Sequence, residues 1–182
     1  MLRFATPLGR RSSPLAGIVN LGPTATKSIS VEASLEFRVV SPNEAEALAD
    51  LFKDIDQRFF RPHPFTADEA RRIANLDGRD VYAILFDEGR PVAYGMLRGW
   101  DAGFETPYLG IAVRTDLHRR GFGRLMMAHL HEVALAHGAK SVRLRVHSNN
   151  RAARRLYESL GYAYAGEERG ELVMMIDVGP HP

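Results

Sequence analysis

Between Arg114 and Leu130 the chain reads RTDLHRRGFGRLMMAHL. Two glycines, Gly121 and Gly123, stand among Arg119, Arg120 and Arg124, and an apolar helical pattern starts with Phe122. The first amides of a helix have no intrahelical acceptor, so they can donate to an anion. Bare glycine backbone lets phosphate oxygens approach, and guanidinium groups neutralise the charge. The plain alternative is a turn carrying solvated arginines. Two nucleotide loops are excluded by spacing. A Walker A loop needs Lys and Ser or Thr after its last glycine, where this chain has Arg124 and Leu125. A dinucleotide fingerprint needs a small residue three positions after Gly123, where Met126 stands.

Charge supports an anionic ligand bound locally. The 182 residues carry a formal net charge of +2, yet residues 114–155 hold ten Lys or Arg against only Asp116 and Glu132. Residues 1–31 add Arg3, Arg10, Arg11 and Lys27 with no acid, so the remainder (20 basic, 22 acidic) is net −2. A nucleic-acid binder would more often be basic across a whole face, so a nucleic-acid partner is not expected. No apolar run is long enough for a membrane span, and no membrane partner is expected. The absence of cysteine rules out disulfides, thiolate metal ligands and a cysteine nucleophile. His131-Glu132-Val133-Ala134-Leu135 begins like a zinc-protease helix but has Leu135 where the second histidine must stand, so no metal site is expected.

The elements that would position the glycine loop follow from periodicity. LEFRVV (35–40) alternates like a strand, and Ser41, Pro42 and Glu44 make a capping-box start for a helix. Thr66 and Glu69 make a second, after the Pro-broken loop FFRPHPF (59–65). VYAILF (81–86) and PVAYGMLR (91–98) flank Asp87-Glu88-Gly89-Arg90 as a hairpin, and TPYLGIAVR (106–114) is a third strand-like run. The helix over 122–137 has Leu125, Met126, Leu130, Val133 and Ala134 at core-facing spacing, with Gly138 as its cap. SVRLRVH (141–147) reads as a strand and NRAARRLYESLGY (150–162) as a short helix stopped by Gly161. A final hairpin turns around Glu167–Glu171. The pattern is mixed α+β over residues 35–178. Residues 1–34, rich in Ser, Thr, Gly and Pro, read as a disordered basic arm, either a non-functional extension or a transit peptide. Residues 179–182 are a tail.

Two segments together resemble the GNAT superfamily of acetyl-CoA-dependent N-acetyltransferases. His118-Arg119-Arg120-Gly121-Phe122-Gly123 resembles its pyrophosphate loop, with histidine where Gln or Arg is usual. Asn150, Ala153 and Leu156-Tyr157-Glu158-Ser159-Leu160-Gly161-Tyr162 resemble its later helix. The resemblance implies a mixed, mostly antiparallel sheet flanked by helices, whose fourth strand splays from the fifth. It implies acetyl-CoA as co-substrate and no metal. Backbone groups of Ile111, Ala112 and Val113 would pair with the pantetheine, and the amides from Arg119 through Gly121, Phe122 and Gly123 to Arg124 would hold the pyrophosphate. A substrate amine would attack the thioester directly, with Tyr157 as acid to the departing thiolate. Tyr157 could equally be a core residue, and Asn150 could contact the cofactor or cap its helix.

The base is open among Glu105, Asp101, His147 and water, with Glu105 placed just before the strand that would carry the thioester. Acceptor residues in the superfamily come from the first two helices, their loop and the final hairpin. That implies Phe60 and His63, with Phe59 and Phe65 nearby and Trp100 opposite, although aromatics here could close the core. The expected acceptor is a small-molecule or peptide amine. A homodimer is common in the superfamily. The default location is the cytoplasm, or an organelle if the arm is a transit peptide. The rival reading is a non-catalytic acyl-CoA-binding regulatory module.

Overall fold

A computed structural model describes residues 35–60 and 62–179. The arm expected over 1–34 and the end of the tail lie outside the described residues. Strand β1 (Leu35–Val39) is followed by helices α1 (Ala45–Lys53) and α2 (Ala67–Ala74), strands β2 (Val81–Asp87), β3 (Arg90–Arg98) and β4 (Tyr108–Val113), helix α3 (Phe122–Ala136), strand β5 (Ser141–Val146), helix α4 (Arg151–Ser159), and strands β6 (Ala163–Glu168) and β7 (Glu171–Asp177). One sheet carries all seven strands in the order β1-β2-β3-β4-β5-β7-β6. Every pairing is antiparallel except β4 with β5. The architecture is the expected mixed, mostly antiparallel α+β sheet flanked by helices.

The capping signals act locally, with one difference. Ser41 and Glu44 form the reciprocal capping box around a 3₁₀ turn, Pro42–Glu44, that leads into α1. Thr66 accepts the Glu69 N–H at 3.1 Å, but the Glu69 carboxylate pairs with Arg72 instead of returning to the cap. Both hairpins turn on two residues with positive φ, Glu88 (49°) with Gly89 (79°) and Arg169 (53°) with Gly170 (77°). That backbone matches the right-handed strand twist, and the glycine takes the larger angle without strain.

Each sheet face has its own core. Leu48, Leu51 and Phe52 of α1 and Ile73 of α2 pack on Ile84, Tyr94 and Met96. On the other face Met126, Met127, Leu130 and Ala134 of α3 pack on Leu85, Leu97, Val142 and Leu144. Leu125, expected in that core, is 39% exposed. The buried stripe runs through Phe122, Met126, Leu130 and Ala134, and Leu125 lies about 100° around the helix from Met126. Gly95 sets how closely α3 approaches: a β-carbon there would come within 2.5 Å of the Met126 sulfur and 2.8 Å of Leu130. That contact fixes the start of α3, and with it the glycine loop, against β3 and β4.

Candidate active site

β4 and β5 touch at one registered pair, Tyr108 with Arg143, where the Arg143 N–H donates to the Pro107 carbonyl at 3.1 Å. Beyond that pair they separate. Main-chain groups alternate sides along a strand, and the Arg114 N–H donates to Val92 of β3. The even-numbered residues of β4 therefore bond to β3, while Leu109, Ile111 and Val113 face β5: the Leu109 N–H completes the Tyr108–Arg143 pair, and the groups beyond it turn into the gap. Ala112, expected to offer its backbone there, faces β3 opposite Tyr94 instead. The gap between the strands is a slot with unpaired main-chain donors and acceptors on one wall.

The glycine loop closes the wide end of this slot. The N–H groups from Arg119 to Arg124 have no hydrogen-bond acceptor among the described residues. Arg119 and Gly121 take φ of 64° and 92°, which turns successive amides toward one side. The two glycines do different work. A β-carbon on Gly121 would meet nothing within 4 Å, so the position needs glycine for its backbone angle and leaves room beside it. A β-carbon on Gly123 would lie 3.3 Å from Leu156, so that glycine lets α3 and α4 pack. The imidazole of His118 bonds through Nε2 to the Val113 carbonyl at 3.1 Å, tying the loop to β4. Arg124 donates to Ser159 Oγ at 2.6 Å and lines the cleft, as does Arg119; Arg120 is exposed and does not.

Tyr157 and Asn150 come to the same cleft from α4. Asn150 Oδ1 accepts the Ala153 N–H at 3.2 Å and so caps α4, which leaves its amide donors free. Tyr157 is 7% exposed, and its hydroxyl has no hydrogen-bond partner among the described residues. Burial pushes that phenol up to about 12. The cleft as a whole encloses about 1050 Å³.

At the far end the expected residues divide. Phe60 lines the cleft with Phe59. His63 does not: its side chain is 4% exposed and bonds through Nε2 to the Tyr94 hydroxyl at 3.0 Å, inside a block formed with Phe52, Phe60 and Phe65. Trp100 does not either; it is buried and stacks on His137 at 4.9 Å. Glu105 is exposed and outside the cleft lining. Asp101 is occupied in accepting the Arg79 and Asp80 N–H groups. His147 lines the cleft, but its Nδ1 accepts the Asn149 N–H at 3.1 Å, so a neutral ring carries its proton on Nε2 and has no free basic nitrogen.

Other residues complete this end. Arg98, Tyr108, Arg145, Arg169 and Glu171 all line it. The Arg143 and Arg145 guanidiniums lie 4.0 and 5.4 Å from the centre of the Tyr108 ring, whose hydroxyl donates to Glu168. The signal available in the sequence was the alternation of arginine with apolar residues in SVRLRVH, which puts both guanidiniums on one face.

A slot of unpaired strand backbone leading to a row of free helix-start amides suits a long ligand ending in phosphates. Comparison with known proteins agrees. The model of the Acetyltransferase (GNAT) family matches residues 46–162. The chain belongs to the GNAT acetyltransferase family. Over 102 residues this GNAT chain is 41% identical to the ribosomal protein bS18 alanine N-acetyltransferase of Salmonella typhimurium, a match covering 56% of this chain and 68% of that protein. The corresponding Escherichia coli enzyme is 31% identical over 102 residues. Its S18-alanine N-acetyltransferase crystal structure superposes with a TM-score of 0.63 at 21% identity, covering 82% of this chain and 97% of that one. The PaiA N-acetyltransferase of Thermoplasma acidophilum, solved in complex with coenzyme A, gives 0.65 at 14% identity, covering 79% and 99%. This GNAT protein is an acyltransferase of the N-acetyltransferase class, a family that uses acetyl-CoA. Among the described residues there is no cluster of three potential metal ligands, and no helix is long and apolar enough to cross a membrane.

Proposed function

We propose that the protein moves the acetyl group of acetyl-CoA directly to a primary amine. The observation that carries this reading is the continuity of free backbone donors from the β4–β5 slot into the start of α3. The Leu109 carbonyl, the main-chain groups of Ile111 and the Val113 N–H would hold the pantetheine chain, and the amides from Arg119 to Arg124 the pyrophosphate. Acetyl-CoA supplies an acyl thioester as electrophile. A C–N bond forms, the C–S bond breaks, the amine loses a proton and the sulfur gains one.

Tyr157 stays protonated at neutral pH because burial raises its phenol to about 12. Giving that proton up entirely to a thiolate of ordinary pKa, about 8.5, would be uphill by about 3.5 pH units. Its role is therefore to donate a hydrogen bond to the charge growing on sulfur, with the final proton coming from the solvent or the ammonium. On the amine side, Asp56 pairs with Arg58, and Asp80 holds the N–H groups of Gly99 and Trp100. Glu171 is the carboxylate in the cleft with no partner among the described residues, and it or water takes the amine proton.

The test uses the missing cysteine. A thiol reagent added to the enzyme reads only released CoA, since the protein has no thiol of its own. Amine-dependent thiol release is expected. Tight acetyl-CoA binding with no release across a broad amine panel would overturn the transferase reading and leave the binding module.

A further inference from the structure

The amine acceptor has a sign, and it is set by side chains at the closed end of the β4–β5 slot. This inference rests on the acetyltransferase reading and goes further to the class of acceptor. The registered pairs Arg98 with Tyr108 and Tyr108 with Arg143 place two guanidiniums and a phenol in one row across β3, β4 and β5. Arg145 follows two residues along β5, on the same face as Arg143. Arg169 enters from the β6–β7 turn. Among the described residues no carboxylate lies within ion-pair distance of Arg98, Arg143, Arg145 or Arg169. Arg143 and Arg145 are held by the face of Tyr108 instead.

The acids nearby do not cancel this charge. Asp56 is matched by Arg58, and Asp80 is committed to backbone N–H groups of the β3–β4 loop. Glu168 accepts from the Tyr108 hydroxyl, which leaves Glu171 against three arginines. Nor do these arginines serve the phosphate loop. Tyr108 and Val113 stand at opposite ends of β4, about 17 Å apart at the usual strand rise, and the loop lies beyond Val113.

We propose that the acceptor is an amine carrying a carboxylate or phosphate close to its nitrogen, with the anion bound by Arg98, Arg145 and Arg169. A polycation would be repelled from the same cleft. The arrangement also helps the chemistry. An ammonium beside guanidiniums that have no carboxylate partner among the described residues loses its proton more readily, and only the neutral amine can attack.

The test compares matched acceptors with the full-length enzyme. One arm uses peptides beginning Ala-Glu-Glu, Ala-Gln-Gln and Ala-Lys-Lys; the other uses free glutamate and its diamide. In at least one arm the acidic acceptor should have the highest kcat/KM, by roughly tenfold or more over its neutral partner, with the gap narrowing at high salt. Preference in the peptide arm assigns an acidic chain terminus, and preference in the other assigns a small amino acid. Arg145→Glu should remove the preference, Arg145→Gln should weaken it, and both should bind acetyl-CoA as the parent does. A second readout needs no turnover: the acidic probe titrated into the enzyme with CoA should bind more tightly than the neutral one. Preference for Ala-Lys-Lys, equal binding of acidic and neutral probes, or a ranking unchanged in Arg145→Glu would overturn the proposal. Failure of the transferase reading looks different, as absent acetyl-CoA binding or no transfer to any amine.

Discussion

The two ends of the cleft are built in different ways. At the α3 end, six consecutive residues from Arg119 to Arg124 present main-chain N–H groups, and two of their side chains are absent because glycine is required. At the β4–β5 end, Arg98, Tyr108, Arg145, Arg169 and Glu171 come from β3, β4, β5, the β6–β7 turn and β7, and they present side chains. Backbone donors are the same in every protein, so the first end suits a ligand shared by a whole family. Side chains differ, so the second end can be matched to one acceptor. The same β4 strand joins the two, with Val113 at one end and Tyr108 at the other.

The largest expected effect separates the ends most sharply. A Gly121→Glu/Gly123→Glu double variant forces a side chain into a left-handed position and adds negative charge where the amides point. Acetyl-CoA affinity should fall by roughly a hundredfold or more, as two or more charge-assisted hydrogen bonds are lost, and calorimetry reads it. Because Gly123 also packs on Leu156, Gly121→Glu alone is the cleaner probe. Unchanged affinity in the single variant would break the proposed division of labour. Next is Tyr157→Phe, which removes a hydroxyl with no partner among the described residues and should leave stability nearly untouched. We expect kcat to fall by roughly a hundredfold with acetyl-CoA affinity held, and an equal fall in affinity would mean that Tyr157 binds instead of assisting departure.

This division explains what could be read from the chain directly. The glycine loop, the α4 motif and the hairpin turns are contiguous, so periodicity and turn chemistry reveal them. The resemblance points to Ile111, Ala112 and Val113 alike for the slot, since strand alternation has a phase that only the partner strand supplies. The Arg114-to-Val92 bond sets it, and Ile111 and Val113 remain. The resemblance points to His63 and Trp100 for the acceptor, but an aromatic residue in a loop also suits a core. Burial against Tyr94 and His137 decides for the core. Arg98 and Arg145 could not be paired at all without the register across three strands.

A smaller effect concerns that aromatic block. Desolvation, opposed by the Pro64 carbonyl and the Glu69 charge, holds the His63 imidazole below its ordinary 6.5. Burial does the same to His129 and His131. Histidines neutral in the fold but ordinary in the unfolded chain give stability that is complete above about 6.5 and is lost as pH falls through and below it. Urea midpoints should drop from pH 7 to pH 5. His63→Gln keeps a hydrogen-bonding group without a titrating one, and should flatten that slope by at most about 1.4 kcal/mol per pH unit. An unchanged slope would remove His63 from the acid response and leave it to the α3 histidines. Acetyl-CoA affinity should not follow the substitution, since His63 lies on the α1–α2 side of the sheet, away from the loop.

The smallest effect tests whether the α3 end works by backbone alone. His118 is the residue there whose side chain meets the strand, and its Nε2 is 3.1 Å from the Val113 carbonyl. That bond orients the loop against the slot but touches no ligand in the proposed arrangement. An exposed hydrogen bond of this kind contributes about 0.5–1.5 kcal/mol, so His118→Ala should weaken acetyl-CoA binding only a few-fold. His118→Gln restores a donor of similar reach and should recover most of it. A loss as large as that in the glycine variant would mean the imidazole meets the ligand itself, and then the contrast between a backbone end and a side-chain end would fail at its first residue.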